Sequence, residues 1–110
     1  MKAENKAEKL DPMSVMADHA IEAAKLLKLL ANENRLMICC ALGEQELSVG
    51  EINDRVPLSQ SALSQHLAKL REAEIVTTRK QGLIVYYQLN GNHAMKIIQT
   101  LKTIYCPDII

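Results

Sequence analysis

"LSVGEINDRVPLSQSALSQHLAKLREAE", residues 47–74, decides the fold of this chain. Two helical patterns lie in it, separated by residues that resist helix. Ser48 and Glu51 have the spacing of a capping box, in which each side chain satisfies a free amide at the start of a helix. Pro57 disfavours helix at Val56. Ser59 then caps a longer helix through residues 60–74. Two helices joined by so short a turn form a helix-turn-helix.

The second helix has two faces. At about 100° per residue, Leu63, Leu67 and Leu70 cluster on one side with His66 at its edge, as a satisfied groove-edge histidine. Ser61, Ser64, Gln65 and Ala68 lie opposite, flanked by Gln60 and Arg71. A DNA major groove suits that outer face. Short side chains let the backbone approach, and Gln and Ser reach base edges and phosphates. The free amides of an uncharged first turn also favour phosphate.

After Glu74 the period changes. "IVTTRK" (75–80) and "LIVYYQL" (83–89) are rich in β-branched and aromatic residues and are separated by Gln81-Gly82, which predicts a two-stranded β-hairpin. Arg79 and Lys80 stand beside its turn, placed to touch a DNA backbone or minor groove. From Ser59 to Gly82 the cations Lys69, Arg71, Arg79 and Lys80 outnumber Glu72 and Glu74.

Upstream, the pattern turns helical from Ser14, with Ile21, Ala24, Leu27 and Leu30 on a buried face. Asn32 or Asn34 caps the next helix, which carries "RLMICCAL" (35–42) and stops near Gly43. Downstream, a helix from about Asn92 to Tyr105 carries Met95, Ile98, Leu101 and Ile104 or Tyr105 on one face. Pro107 ends it. The expectation is a flexible polar tail over residues 1–13 and one winged helix-turn-helix domain over 14–110, mainly α with a small β-hairpin. The apolar faces of the first and last helices exceed what a three-helix core needs. They predict a homodimer, and two-fold dimers read two half-sites of a two-fold symmetric operator in double-stranded DNA.

Composition narrows the rest. The 110 residues carry no formal net charge, so attraction to DNA must come from a local patch. With no Trp or Phe the core is aliphatic. No apolar run approaches the roughly 20 residues of a membrane span. The charged start, "MKAENKAEKLDPMS", has no signal-peptide core, so a cytoplasmic protein with no membrane partner is expected. No nucleophile–base pair, phosphate loop or paired acid points to an enzyme. Three cysteines, Cys39, Cys40 and Cys106, do not suit a disulfide framework in a reducing compartment. They leave buried thiols, metal ligands or redox chemistry.

The stretches "LLKLLANENRLMICCAL", "ELSVGEI", "LSQSALSQHLAKLREAEIV" and "TRKQGLIVYYQL" resemble the ArsR/SmtB family of winged-helix repressors. The resemblance spans about residue 18 to the end. It implies a homodimer that binds operator DNA and releases it when an inducer modifies a sensor site. Two metal sites of that family are absent from the pattern. Ser48 and Gly50 stand where one site has its cysteines, and neither replaces a thiolate. At the second site Gly91, Ile104 and Pro107 leave only His93 in place, and one His does not make a zinc site. No metal or other cofactor is therefore expected.

What remains is a cysteine in the "RLxxxCxL" pattern and one after "IY". That pair resembles the branch of BigR, SqrR and HlyU, which look like dithiol sensors of persulfide, or sulfane sulfur. The resemblance assigns the sensor roles to Cys40 and Cys106. The helical wheel puts Cys39 in the arc of Ile38 and Leu42, as a structural thiol, and Cys40 with Leu36 and Met37 on the other side. Arg35 is the only obvious cation near Cys40 in sequence. The resemblance thus implies a repressor released by persulfide or polysulfide. The alternative is a transcriptional activator or anti-silencer that displaces another DNA-binding protein without a chemical trigger.

Overall fold

The structure is a computed structural model, and it describes residues 11–108. Most of the tail expected over residues 1–13 lies outside the described residues. The first helix, α1 (Pro12–Leu30), begins before Ser14. Pro12 is its first residue, where a proline's missing N–H is no loss, and Asp11 is the N-cap.

Helix α2 (Glu33–Leu42) is capped by Asn32, whose side-chain oxygen accepts from the N–H groups of Asn34 at 2.9 Å and Arg35 at 3.1 Å. It ends at Gly43, where φ is +52°, a conformation that costs glycine little. The short strand β1 (Leu47–Ser48) leads into α3 (Val49–Arg55). The capping box is formed: Ser48 N–H donates to Glu51 Oε1 at 2.8 Å, and Glu51 N–H donates to Ser48 Oγ at 3.2 Å. Helix α4 (Gln60–Glu72) starts at Ser59, whose Oγ accepts from Ala62 N–H at 3.2 Å.

The wing consists of β2 (Val76–Gln81) and β3 (Ile84–Leu89), followed by α5 (His93–Tyr105). It differs from the expected hairpin in two ways. The turn is Gly82-Leu83, because Gln81 pairs with Ile84, and Gly82 supplies the positive φ its first position needs. The sheet has three strands in the order β1-β3-β2, since Leu47 and Ser48 pair antiparallel with Tyr87 and Tyr86. A two-residue strand is too short to carry an alternating pattern of its own. It exists because β3 offers a free edge.

The core is aliphatic. Ile38, Leu42, Ile52, Leu63, Leu70 and Ile98 are fully buried, and Cys39 lies among them. The apolar stripes of α1 and α5 depart from the expected burial. On α1 only Leu30 is buried, while Ile21 and Leu27 remain 75% and 56% exposed. On α5 Ala94 and Ile98 are buried, but Ile104 and Tyr105 are 59% and 78% exposed. Each stripe outruns the domain it leans on, so its free end is left uncovered among the described residues.

Candidate nucleic-acid interface and thiol site

Helix α4 divides as its periodicity requires. Leu63, Leu67 and Leu70 anchor it in the core. Gln60, Ser61, Ser64, Gln65, Ala68 and Arg71 are all exposed on its outer side. The turn that aims it is held by Asn53, a residue the sequence reading passed over. Its Nδ2 donates to the carbonyls of Val56 at 3.2 Å and Leu58 at 3.0 Å. An Asn on the last turn of a helix just before a proline was the available signal.

His66 sits half-buried on the edge of α4, and its Nδ1 is buried without a hydrogen-bond partner. It is therefore not the satisfied histidine expected. Burial, then the positive charges of Arg35 and Lys69, push its pKa down. Both effects act against a charged ring, the burial by desolvating it and the two cations by repelling it.

An open cleft of about 440 Å³ runs between α4 and the base of the wing, with Ser64, Ala68 and Arg71 on one wall and Tyr87 on the other. Recognition helix and wing thus flank one surface. Within the wing, Arg79 is already engaged. Its Nη2 donates to Glu46 Oε1 at 2.9 Å, its Nε donates to Glu46 Oε2 at 3.0 Å, and its Nη1 donates to Gln81 Oε1 at 2.8 Å. Its guanidinium also lies over the Tyr86 ring at 4.8 Å. Hydrogen bonding to Arg79 lowers the Glu46 pKa. Arg79, expected at the DNA backbone or minor groove, is in this structure half-exposed and paired with Glu46, the residue before β1. Lys80, exposed and on the opposite side of the strand, keeps no such partner among the described residues.

The three thiols are free and occupy three environments. Cys39 is fully buried, and its pKa is pushed up to about 12, first by burial and then by neighbouring Cys40, against the pull of Arg35. Cys40 is half-buried. Burial raises its pKa, Lys102 opposes that rise, and Cys106 adds to it. Cys106 is half-buried at the C-cap of α5, its N–H donating to the Lys102 carbonyl at 2.7 Å. Helices α2 and α5 pack together, which places Cys40, Cys106 and Lys102 within electrostatic reach of one another.

The cation beside Cys40 is therefore Lys102 and not Arg35. Arg35 is turned away, with its Nε donating to the Leu29 carbonyl at 2.6 Å, and its charge acts on Cys39 and His66. Lys102 stands one helical turn before Cys106, a spacing that puts both on the same side of α5. Among the described residues no group of three or more His, Cys, Asp or Glu side chains is placed to hold a metal ion. No described helix is long and apolar enough to cross a membrane.

Comparison with known proteins places this geometry. Residues 32–78 match the family described as bacterial regulatory protein, arsR family. The transcriptional activator HlyU of Vibrio cholerae is 47% identical over 97 residues, covering 86% of this chain and 90% of the relative. A structure described as reduced HlyU from Vibrio cholerae superposes with a TM-score of 0.78 at 48% identity, covering 83% of this chain and 96% of that one. The crystal structure of the transcriptional repressor BigR from Xylella fastidiosa gives a TM-score of 0.81 at 40% identity, covering 86% and 96%.

Proposed function

The chain belongs to the arsR family of bacterial regulatory proteins, and on that premise we propose that it is a homodimeric cytoplasmic regulator released from operator DNA when sulfane sulfur crosslinks Cys40 to Cys106. That it is a DNA-binding transcriptional regulator follows from the family itself. The trigger is our reading. The single observation that carries it is the packing of α2 on α5, which brings Cys40 within electrostatic reach of Cys106 and Lys102 while Cys39 is sealed in the core. The description of a relative as reduced adds support.

The chemistry balances. Two protein thiols and two low-molecular-weight persulfides give one protein trisulfide, two ordinary thiols and one hydrogen sulfide. The electron pair lost by the two cysteines reduces one sulfane sulfur to sulfide. Attack requires a thiolate, and Lys102 is the group that favours one at Cys40 against burial. A direct disulfide needs Cα atoms within about 7 Å, whereas inserted sulfur relaxes that demand.

The bridge ties α2 to the end of α5. Exposed Met16, Ile21 and Leu27 on α1, with Ile104 and Tyr105 on α5, supply the dimer surface in this reading. A link at the end of α5 therefore bears on the spacing of the two recognition helices. In each copy Gln60, Ser61, Ser64, Gln65, Ala68 and Arg71 face the major groove and Lys80 the backbone, while Arg79 supports the wing. A coupling of about 1–3 kcal/mol suffices to shift occupancy of an operator.

Mass spectrometry of intact protein after persulfide and after peroxide, paired with operator-binding assays, tests this. The expected result is a sulfur-bearing link between Cys40 and Cys106 with persulfide, and no release in the Cys40→Ser and Cys106→Ser variants. Unchanged release in both variants would sink the proposal. One observation favours a second reading of the direction of control: the 47% identical relative is named an activator. In that reading the protein displaces another DNA-binding protein with no obligatory trigger, and promoter output falls on deletion of its gene.

A further inference from the structure

The tip of the wing carries a residue that neither the core nor the thiol site uses. Leu83 is 97% exposed, the most exposed of the large apolar side chains described, and its neighbour Ile84 is 48% exposed. The turn does not require it. The positive φ belongs to Gly82, and the second turn position accepts small polar residues freely. A single exposed leucine is ordinary on a protein surface. This one differs in where it is held.

It crowns a hairpin that is braced from below. Arg79 ties β2 to Glu46 and lies over the Tyr86 ring of β3, so the tip is presented on a stiffened arm. From Ile75 to Pro107 the chain has no acidic residue; Arg79 is paired with Glu46, and Lys80 is left beside the tip as the cation without such a partner among the described residues. An apolar tip on a cationic arm suits a partner that is anionic outside and apolar within. Stacked base pairs between phosphate strands have that character.

The cleft lined by Ser64, Ala68, Arg71 and Tyr87 sets the base of the wing beside α4. With α4 in a major groove, the hairpin runs on from Tyr87 toward the flanking minor groove. Strands rise about 3.3 Å per residue, so the tip lies roughly 10–13 Å beyond Tyr87. Half of the roughly 34 Å helical turn of DNA is about 17 Å, a distance the arm and the width of α4 together cover.

We infer that Leu83 is a DNA-contact residue that enters the minor groove beside the major groove occupied by α4, as an apolar wedge against a base step. This rests on the DNA-binding reading above and adds a contact that charge and hydrogen bonding do not predict. Such wedges exchange stacking between adjacent bases for contact with the side chain. They select flexible steps at positions where no base edge is read.

The test uses the full-length protein and a duplex recovered from a random-sequence library by rounds of selection with the wild type. Leu83→Ala is expected to bind that duplex about tenfold more weakly, the order of one large aliphatic side chain losing its cover. On a duplex shortened to remove the flanking minor grooves, wild type and Leu83→Ala are expected to bind equally. The salt dependence of Leu83→Ala stays that of the wild type, whereas Lys80→Ala reduces the slope by about one. A 2-aminopurine placed in the flanking step brightens on binding wild type and not Leu83→Ala. The thermal midpoint of the variant stays unchanged, because Leu83 packs against nothing in the fold. Equal affinity on the long duplex overturns the inference, as does an equal loss on both lengths. If the wild type enriches no duplex, the DNA-binding reading falls and the role of Leu83 falls with it. In contrast, a wild type that binds, is weakened by Gln65→Ala and is indifferent to Leu83→Ala refutes the wedge alone.

Discussion

Cys39 and Cys40 are adjacent in sequence, yet alkaline pH should act on them in different ways. Cys39 has no exposed surface, and its pKa is pushed from 9.0 up to about 12 by burial first. That rise leaves a folded-state thiolate population about a thousandth of an unshielded thiol's. The folded-state pKa is raised, so burial of the neutral thiol contributes stability that is intact below pH 9 and lost as pH rises toward 12. Linkage puts the loss at about 1.4 kcal/mol by pH 10 and about 2.7 kcal/mol by pH 11. Cys39→Ala removes this dependence, at a cost of about 1 kcal/mol near neutrality for the sulfur withdrawn from the core. The two stabilities should therefore converge as pH rises and cross just below about pH 10. Urea denaturation from pH 7 to 11 reads this directly. A Cys40→Ser, Cys106→Ser background keeps the other thiols silent and retains burial, the largest cause of the shift, so the losses given are upper values there; lysine and tyrosine titrations cancel between the two proteins. In the protein with all three thiols, iodoacetamide at pH 7.5 should label Cys40 well before Cys39. Parallel stability curves, or equal labelling of the two thiols in folded protein, would refute the shielding on which the division of roles depends.

Other consequences are nearer to single contacts. Ser59→Ala removes the cap of α4 and should cost about 1 kcal/mol in urea denaturation. Glu46→Gln should speed amide exchange through β2 and β3 at neutral pH. In the wild type the brace persists on acidification until the lowered Glu46 pKa is crossed, so equal exchange in both proteins at pH 7 would show that it holds nothing. His66 has a depressed folded-state pKa, so its contribution to stability is complete above its unfolded value near ~6.5 and is lost as pH falls through the folded one. His66→Gln should flatten that acid-side loss, and an NMR titration midpoint at or above ~6.5 would contradict it. Lys102→Met should slow alkylation of Cys40 at pH 7.5 while leaving that of Cys39 unchanged; an unaltered Cys40 rate would remove Lys102 from the site.

The parts legible in the sequence were those set by local signals. Ser48 with Glu51, Pro57 and Ser59 mark the helix-turn-helix because capping and the restriction before proline act over a few residues. The wheel separates Cys39 from Cys40 because the rotation of about 100° per residue turns neighbours to different faces. Contacts made by the fold were not legible. Strand β1 exists through its pairing with Tyr86 and Tyr87. Arg79 reads as a free cation until Glu46, 33 residues earlier, is brought beneath it. Lys102 comes within electrostatic reach of Cys40 only after α5 returns to pack on α2. The stripe of α1 shows the limit of periodicity most clearly. Ile21, Ala24, Leu27 and Leu30 recur as a buried face does, and only Leu30 is buried. Periodicity registers that a face needs cover; it does not say which chain supplies it. Ile21 on α1 and Tyr105 on α5, 75% and 78% exposed, carry the same message at two separate places. Cover for both from one source requires a surface long enough to meet α1 and α5 together, and a second copy of the chain offers the same two stripes in return. In the proposed mechanism a crosslink at the end of α5 would lie beside that contact, and so a bond between two sulfurs in one chain would bear on the placement of the other chain's recognition helix.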